Sequence, residues 1–284
     1  MQLHIIDTGY FKLDGGAMFG VVPRQIWENL NPPDDKNRCS WAMRCLLIDT
    51  GDRKVLIDTG MGNKQNAKFR SHFEPHGDAT LLGSIAEKGY RPEDITDVFL
   101  THFHFDHVGG ALYLDENGET QATFPNARYW TNEGHYHWAM RPNAREKASF
   151  LKENFVWLHE QDRLHFVKAD DGDYWINNIR VQYAYGHTEA MMLAHIEVDG
   201  RRLVYGADLF PSAHHIHLPY VMSYDIRPLD TLAEKELFLK RAVNEEWTLF
   251  FEHDPEFECG QIAQNDRGRY YVHNTLSLAD WLKG

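Results

Sequence analysis

Four potential metal ligands lie within six residues of this chain, and that density constrains the protein more than any other sequence feature. His102, His104, Asp106 and His107 follow the apolar run at 98–100. Residues two apart on an extended chain point the same way, so His102 and His104 can bind one ion together. Asp106 and His107 come where the chain turns and can face a second ion. The motif therefore predicts a metal site at the end of a strand.

Two complete coordination spheres need further ligands, and the sequence supplies three. His187, Asp208 and His253 each follow an apolar run, at 181–185, 203–205 and 249–251. Rigid scaffolds usually present catalytic groups in loops of this kind. Each residue alone would be read as structural, but together with the first motif the three favour a metal centre.

Composition excludes several classes of protein. The chain has 284 residues, with 42 acidic and 29 basic side chains and a net charge of -13. There is no basic run, so nucleic acid is not an expected partner. No apolar run is long enough to span a bilayer, and the first residues do not resemble a signal peptide, so we expect no membrane association and a cytoplasmic location. The three cysteines lack CxxC spacing and are expected to be buried thiols.

The apolar pattern predicts alternating strands and helices. Two short apolar runs separated by turn residues predict a hairpin over 44–58, and helical spacing predicts a helix over 79–88. Further strands are predicted at 98–100, 127–130, 179–185, 191–198, 202–205 and 249–251, with helices near 132–140, 143–157, 230–246 and 275–283. Residues 31–38 are predicted to form an exposed loop. Without a repeat or a linker, residues 1–284 are predicted to form a single domain.

The HxHxDH motif is accompanied by Gly-His-Thr at 186–188, Gly-Ala-Asp at 206–208 and Glu-His at 252–253. This combination resembles the metallo-β-lactamase superfamily, and the resemblance extends from about Cys45 to His253. It implies an α+β fold, the four-layer αββα sandwich of that superfamily.

The resemblance also implies a set of ligands for two divalent ions. His102, His104 and His187 would hold one ion, Asp106, His107 and His253 the other, and Asp208 would bridge them. Asp58 would orient ligands from behind, as metal-bound imidazoles usually require. Zinc suits these ligands, and iron, manganese or cobalt are alternatives.

The implied chemistry is hydrolysis by a hydroxide shared between the two metal ions. Paired cations lower the pKa of bound water, polarise the scissile bond and stabilise the charge that develops. Asp106 or Asp208 would pass a proton to the leaving group.

Several branches of the superfamily fit less well. Class B β-lactamases are secreted, and this chain shows no secretion signal. Flavodiiron proteins carry a flavin domain, for which this chain has no room. Ribonuclease Z needs an RNA-binding surface and glyoxalase II would favour a basic C-terminal cluster, whereas the basic residues here are scattered. The segments 13–23, 123–127 and 247–253 are instead similar to the branch of quorum-quenching N-acyl homoserine lactonases and methyl parathion hydrolase. The predicted function is the opening of a lactone or related ester, with phosphodiesterase, phosphotriesterase or thioesterase activity as the alternative.

A small hydrophobic ester or lactone is therefore the expected partner, and a homodimer is one possible assembly. Some lactonases of this branch place a tyrosine three residues after the bridging aspartate, where this chain has Pro211. Another donor must then assist the carbonyl oxygen. The predicted substrate-binding residues are Met18, Phe19, Phe210, His215, Tyr220 and Tyr224.

Overall fold

The computed structural model describes all residues, Met1–Gly284, and divides them into two compact units. Unit 1 comprises Met1–Tyr10 and Met43–Lys168, and unit 2 comprises Phe11–Ala42 and Ala169–Gly284. The single domain expected from the sequence stays a prediction.

The chain forms fifteen strands and nine α-helices. The strands are β1 Gln2–Asp14, β2 Arg38–Asp49, β3 Lys54–Ile57, β4 Asp97–Phe99, β5 Leu112–Leu114, β6 Thr120–Ala122, β7 Arg128–Thr131, β8 Leu164–Phe166, β9 Tyr174–Ile176, β10 Ile179–Ala184, β11 Met191–Val198, β12 Arg201–Tyr205, β13 Thr248–Phe250, β14 Cys259–Gln264 and β15 Tyr270–Leu276. The helices are α1 Gly15–Phe19, α2 Arg24–Trp27, α3 Ala67–Phe73, α4 Leu81–Glu87, α5 Phe105–Val108, α6 Glu133–Met140, α7 Val156–Glu160, α8 Pro228–Asn244 and α9 Leu278–Lys283.

The first sheet has six strands in the order β1-β2-β3-β4-β7-β8. Strands β3, β4, β7 and β8 are parallel neighbours. Strand β4 is buried along its whole length, as parallel strands covered on both faces usually are. Because parallel strands end at the same edge of a sheet, the residues after β3 and β4 emerge side by side. Asp58 follows β3, and the metal-ligand motif follows β4.

The second sheet has seven strands in the order β15-β14-β13-β12-β11-β10-β9. Strand β11 is antiparallel to both β10 and β12, and β12 is parallel to β13. Strands β10, β12 and β13 therefore run in one direction and end at one edge of this sheet. His187, Asp208 and His253 follow these three ends.

Most of the predicted elements are confirmed. The hairpin is β2–β3, the helix over 79–88 is α4, and the helix near 230–246 is α8. All three cysteines are buried free thiols, as expected. No helix combines the length and the apolar character needed to cross a bilayer.

The helix predicted over 143–157 is wrong. This segment contains turns, a short 3-10 helix at Lys152–Asn154 and the five-residue α7. The Asn143 side-chain oxygen accepts hydrogen bonds from the backbone N–H groups of Arg145 and Glu146. Such local side-chain bonds compete with helical backbone bonds and favour a turn.

His195 on β11 ties stability to pH, because it is buried among cationic side chains. Burial, together with Arg202, Arg241 and Arg180, lowers the pKa of His195 to about 3. The unfolded chain binds this proton near pH 6.5. The contribution of neutral His195 to stability is therefore complete above pH 6.5 and is lost as the pH falls from 6.5 toward 3.

We predict that His195→Gln flattens the pH dependence of the free energy of unfolding between pH 6.5 and 4.5. The maximum slope removed is about 1.4 kcal/mol per pH unit, the value for one proton. Urea unfolding at several pH values measures it, with the exposed His273→Gln as the matched control. A slope equal to that of the control would contradict the prediction.

Candidate metal centre

The ligand motif in unit 1 begins on extended backbone and ends in the one-turn helix α5. His102 and His104 precede the helix, and Asp106 and His107 lie within it. The four residues are at most 7% exposed. Nε2 of His102 lies 3.0 Å from Nδ1 of His104, and Nε2 of His107 lies 3.8 Å from Oδ2 of Asp106. The chain thus brings all four predicted unit 1 ligands to one buried place.

The Asp58 carboxylate orients the unit 1 ligands through hydrogen bonds. Its carboxylate accepts hydrogen bonds from the backbone N–H of Thr101 at 2.8 Å and from the Thr101 hydroxyl at 2.6 Å. Because that hydroxyl donates to Asp58, its oxygen accepts the proton of His102 Nδ1, 3.1 Å away. His107 Nδ1 lies 3.0 Å from the same carboxylate. Both imidazoles therefore carry their proton on Nδ1 and present the lone pair of Nε2, the form that binds a metal ion.

The backbone of Asp58 is itself unusual. Its φ of 57° places a non-glycine residue in the left-handed region. Such strain persists only where surrounding contacts enforce it, and it is frequent at functional sites. Ala207, directly before Asp208, has the same feature with a φ of 42°.

The ligand set in unit 2 is centred on Asp208. Its Oδ2 lies 3.0 Å from Nε2 of His187, and its Oδ1 lies 3.2 Å from Nε2 of His253. One carboxylate thus faces two imidazoles, each with a different oxygen. The bridging role of Asp208 stays a prediction.

Each of these imidazoles is oriented by an acceptor on its other nitrogen. Nδ1 of His187 donates to Asp225 over 2.8 Å, and Nδ1 of His253 donates to the Ala42 carbonyl over 2.7 Å. Burial opposes a charge on His187, but Asp208 and Asp225 outweigh it and raise the pKa of His187 above its ordinary value. Two carboxylates beside one imidazole therefore make this position favourable for a cation, either a proton or a metal ion.

The residues fit divalent metal ions. Nitrogen and oxygen ligands of one tetrahedral ion, with bonds of about 2.0–2.1 Å, lie about 3.3 Å from one another. The spacings within each unit, 3.0 Å for His102–His104 and 3.0 and 3.2 Å for the Asp208 pairs, are close to this value. Buried clusters of ionisable groups are normally paired or bound to metal. The structure thus contains clusters of histidine and aspartate side chains that are able to hold metal ions.

Four of the predicted substrate-binding residues are buried. Met18, Phe19, Phe210 and His215 have at most 1% of their surface exposed. His215 Nε2 donates to the Met18 carbonyl, its Nδ1 accepts from the Ser212 hydroxyl, and burial lowers its pKa to about 3. Tyr224 is 36% exposed and Tyr220 is half-buried. The substrate-binding role of all six residues stays a prediction.

The sequence did not predict two residues that hold the ligands in place, Asp225 and His135. Asp225 stands in a loop far along the chain from His187, without a motif to mark it. His135, on α6, accepts the backbone N–H of Phe103 at Nε2 over 2.8 Å, and so fixes the residue between His102 and His104. A side chain that acts on backbone leaves no pattern in the sequence.

An aromatic cluster beside the unit 1 ligands was also missed. Phe105, the residue before Asp106, packs against Phe73 at 4.3 Å and Phe69 at 5.1 Å between ring centroids. Both partners lie on α3, a helix without a fully buried residue. Their i, i+4 spacing in 67–73 was the available signal.

We predict that His135→Leu weakens metal binding by about 10-fold or more, because Phe103 N–H loses its acceptor and the ligand loop is released. His135→Gln keeps an acceptor and should retain most of the affinity. Chelator competition for zinc measures the effect, with exposed His137→Leu on the same helix as control. Equal zinc affinity in the Leu and Gln variants would refute this role.

We predict that Asp225→Ala lowers metal affinity by about 10- to 100-fold, because His187 loses the acceptor that orients it. The same chelator competition measures it, and Asp266→Ala, a change at an exposed turn, is the matched control. Unchanged affinity in a folded Asp225→Ala protein would show that His187 is held by other contacts.

The chain is similar in sequence to proteins that are already known. A probable metallo-hydrolase of Mycobacterium tuberculosis is 29% identical over 178 residues, which are 56% of this chain and 52% of that protein. The matched part of this chain thus spans about half the length of that relative. An N-acyl homoserine lactonase of Bacillus cereus is 25% identical over 274 residues, covering 91% of this chain and 95% of the lactonase.

A solved structure and a family model complete the comparison. The crystal structure of a probable metal-dependent hydrolase from Staphylococcus aureus superimposes with a TM-score of 0.84 at 27% identity, covering 97% of this chain and 98% of that one. This match confirms the fold class predicted from the sequence. The family model of the metallo-β-lactamase superfamily matches residues 44–253, a span that includes every predicted ligand. The chain therefore belongs to the metallo-β-lactamase superfamily.

Proposed function

We propose that this protein is a dinuclear metal-dependent hydrolase that opens lactones of the N-acyl homoserine type. His102, His104 and His187 would hold one ion, Asp106, His107 and His253 would hold the other, and Asp208 would be a ligand of both. The assignment is supported within unit 1 by the buried cluster of His102, His104, Asp106 and His107, and within unit 2 by the buried cluster of His187, Asp208 and His253.

One observation carries the proposal above the others, namely the position of Asp208. Its two oxygens address two different imidazoles at nearly equal distances, 3.0 and 3.2 Å. Its two oxygens could therefore serve both the ion held by His187 and the ion held by His253. The hydrogen bonds behind His102, His107, His187 and His253 support the same assignment, because all four hold Nδ1 and direct Nε2 forward.

The reaction adds water to the lactone carbonyl and breaks the ring C–O bond, giving a carboxylate and an alcohol. Divalent ions bound here would activate the water and polarise the carbonyl. The alcohol oxygen needs a proton as the ring opens, and a carboxylate at the site can carry it. Both oxygens of Asp208 face imidazoles, so we assign the proton transfer to Asp106.

Lactones are favoured over other substrates by two considerations. The Bacillus cereus relative, similar over nearly the whole chain, is an N-acyl homoserine lactonase. The cluster of Phe69, Phe73 and Phe105 beside Asp106 offers apolar surface that suits an acyl chain. Phosphodiesters, phosphotriesters and thioesters are the alternative substrates on the same metal centre.

We predict that protein carrying about two metal ions per chain opens hexanoyl and decanoyl homoserine lactones. The metal content is first counted by mass spectrometry. Titration in a pH-stat then follows the acid that lactone hydrolysis releases. His104→Ala and Asp208→Ala should each lower kcat/KM by at least about 100-fold, because one ion loses a ligand or both lose their bridge. His273→Ala, an exposed histidine outside the site, should leave activity unchanged.

The possible outcomes test the metal centre and the identity of the substrate separately. Fully metallated protein without lactone turnover, but active on a phosphate ester or thioester, would discard the lactone and keep the hydrolase. Full activity in Asp208→Ala would overturn the bridging assignment. Metallated protein without activity on any of these esters would overturn the hydrolytic function itself.

A further inference from the structure

Unit 1 contains a cavity of about 480 Å³ that the proposed reaction does not use. Its walls are largely apolar, with Met43, Met61, Leu81, Leu112 and Tyr113 among them. None of the seven predicted metal ligands lines it. The volume lies within the range of small-molecule sites, about 300–1,000 Å³.

Arg70 is the only lining residue with a permanent charge. No acidic side chain lines the cavity, although the chain carries 42 acidic and 29 basic residues. Arg70 forms no ion pair in the structure, and its Nη1 donates to the Gly62 carbonyl at 2.9 Å. That bond uses one of the five N–H donors of a guanidinium group. The cavity thus combines apolar walls with a cation that has no carboxylate partner.

One wall of this unit 1 cavity is held firmly in place. Tyr10 and His76 exchange two backbone hydrogen bonds, of 2.8 and 2.9 Å, which fix the segment after α3 against β1. Gly9 and Gly77, with φ of 93° and 88°, allow this close approach. A Cβ on Gly9 would lie 2.9 Å from the His76 carbonyl oxygen, and one on Gly77 would lie 3.1 Å from the Tyr10 ring. The wall is preformed, which lowers the entropy that a ligand must give up on binding.

We propose that this cavity binds a small carboxylate with an apolar body, such as a medium-chain fatty carboxylate. The guanidinium group of Arg70 pairs with the carboxylate, whose planar shape it matches with two N–H donors. The apolar chain packs among the methionine and leucine side chains, whose flexible and branched shapes adapt to it. The site goes beyond the proposed hydrolysis and requires no turnover.

The chain offers a local reporter of binding. Two of its eight methionines, Met43 and Met61, line the cavity, whereas Met191 and Met192 lie on β11 in unit 2. Zinc-loaded protein labelled with ¹³C at the methionine methyl groups is titrated with octanoate. We predict saturable shifts of the Met43 and Met61 signals with those of Met191 and Met192 unchanged. Octan-1-ol, which lacks the charge, should bind at least about tenfold more weakly.

Matched variants test the two halves of the site. Arg70→Gln should weaken octanoate binding at least about tenfold, and Lys68→Gln, an exposed change on the same helix, should not. Ala79→Leu keeps Arg70 but fills part of the cavity, so it should also weaken binding. If Arg70→Gln fails to fold, Ala79→Leu decides between binding in the cavity and binding elsewhere.

Two sources of such a carboxylate are distinguished by a second ligand. N-octanoyl homoserine, the product of the proposed reaction, is titrated beside octanoate. Tighter binding of the product would assign the site to product, and tighter binding of octanoate to a free fatty carboxylate. Absence of Met43 and Met61 shifts with both ligands would overturn the proposal, as would affinity unchanged in Arg70→Gln and Ala79→Leu. The octanoate titration is independent of lactone turnover, so either proposal can fail alone.

Discussion

The hydrogen bonds to the Asp58 carboxylate are the contacts on which the unit 1 site depends. A carboxylate that is fully buried would be expelled or neutralised unless several donors compensate for its lost hydration. Thr101 supplies two of these donors and His107 a third. The same bonds fix which nitrogen of His102 and His107 carries the proton. The same hydrogen bonds thus stabilise the buried Asp58 carboxylate and orient two predicted metal ligands. The left-handed backbone of Asp58 is the strained conformation that accompanies them.

Histidines in this chain show how far environment determines chemical role. His195, among arginines, and His215, between a carbonyl and a hydroxyl, are buried with a lowered pKa. His187 is equally buried, yet two carboxylates raise its pKa. The lowered pKa favours the neutral form of the first two at neutral pH. Residue type alone would have assigned all three the same potential function, and only their neighbours separate them.

These differences explain how much the sequence could predict. The ligand-type residues were recognisable because each stands at the end of an apolar run, and β10, β12 and β13 place three of them at one sheet edge. His215 was predicted to contact substrate because it lies soon after Asp208 in the chain, and that role stays a prediction, while its hydrogen bonds to the Met18 carbonyl and the Ser212 hydroxyl had no signal in the sequence. Asp225 and His135 were missed because their role depends on a partner remote in sequence. The helix over 143–157 was wrong because the hydrogen bonds of Asn143 outweigh helical propensity.

The long connection between β12 and β13 lies between two predicted metal ligands. Asp208 stands at its beginning and His253 beyond its end, and both are anchored by the strands before them. The intervening chain, with α8 and the tyrosines at 220 and 224, crosses over without supplying a predicted ligand. Loops tolerate insertion and replacement far better than the strands that carry them. Descendants of such a gene that exchange this crossover would therefore keep the same metal ligands, but they would need to keep Asp225 or another acceptor for His187.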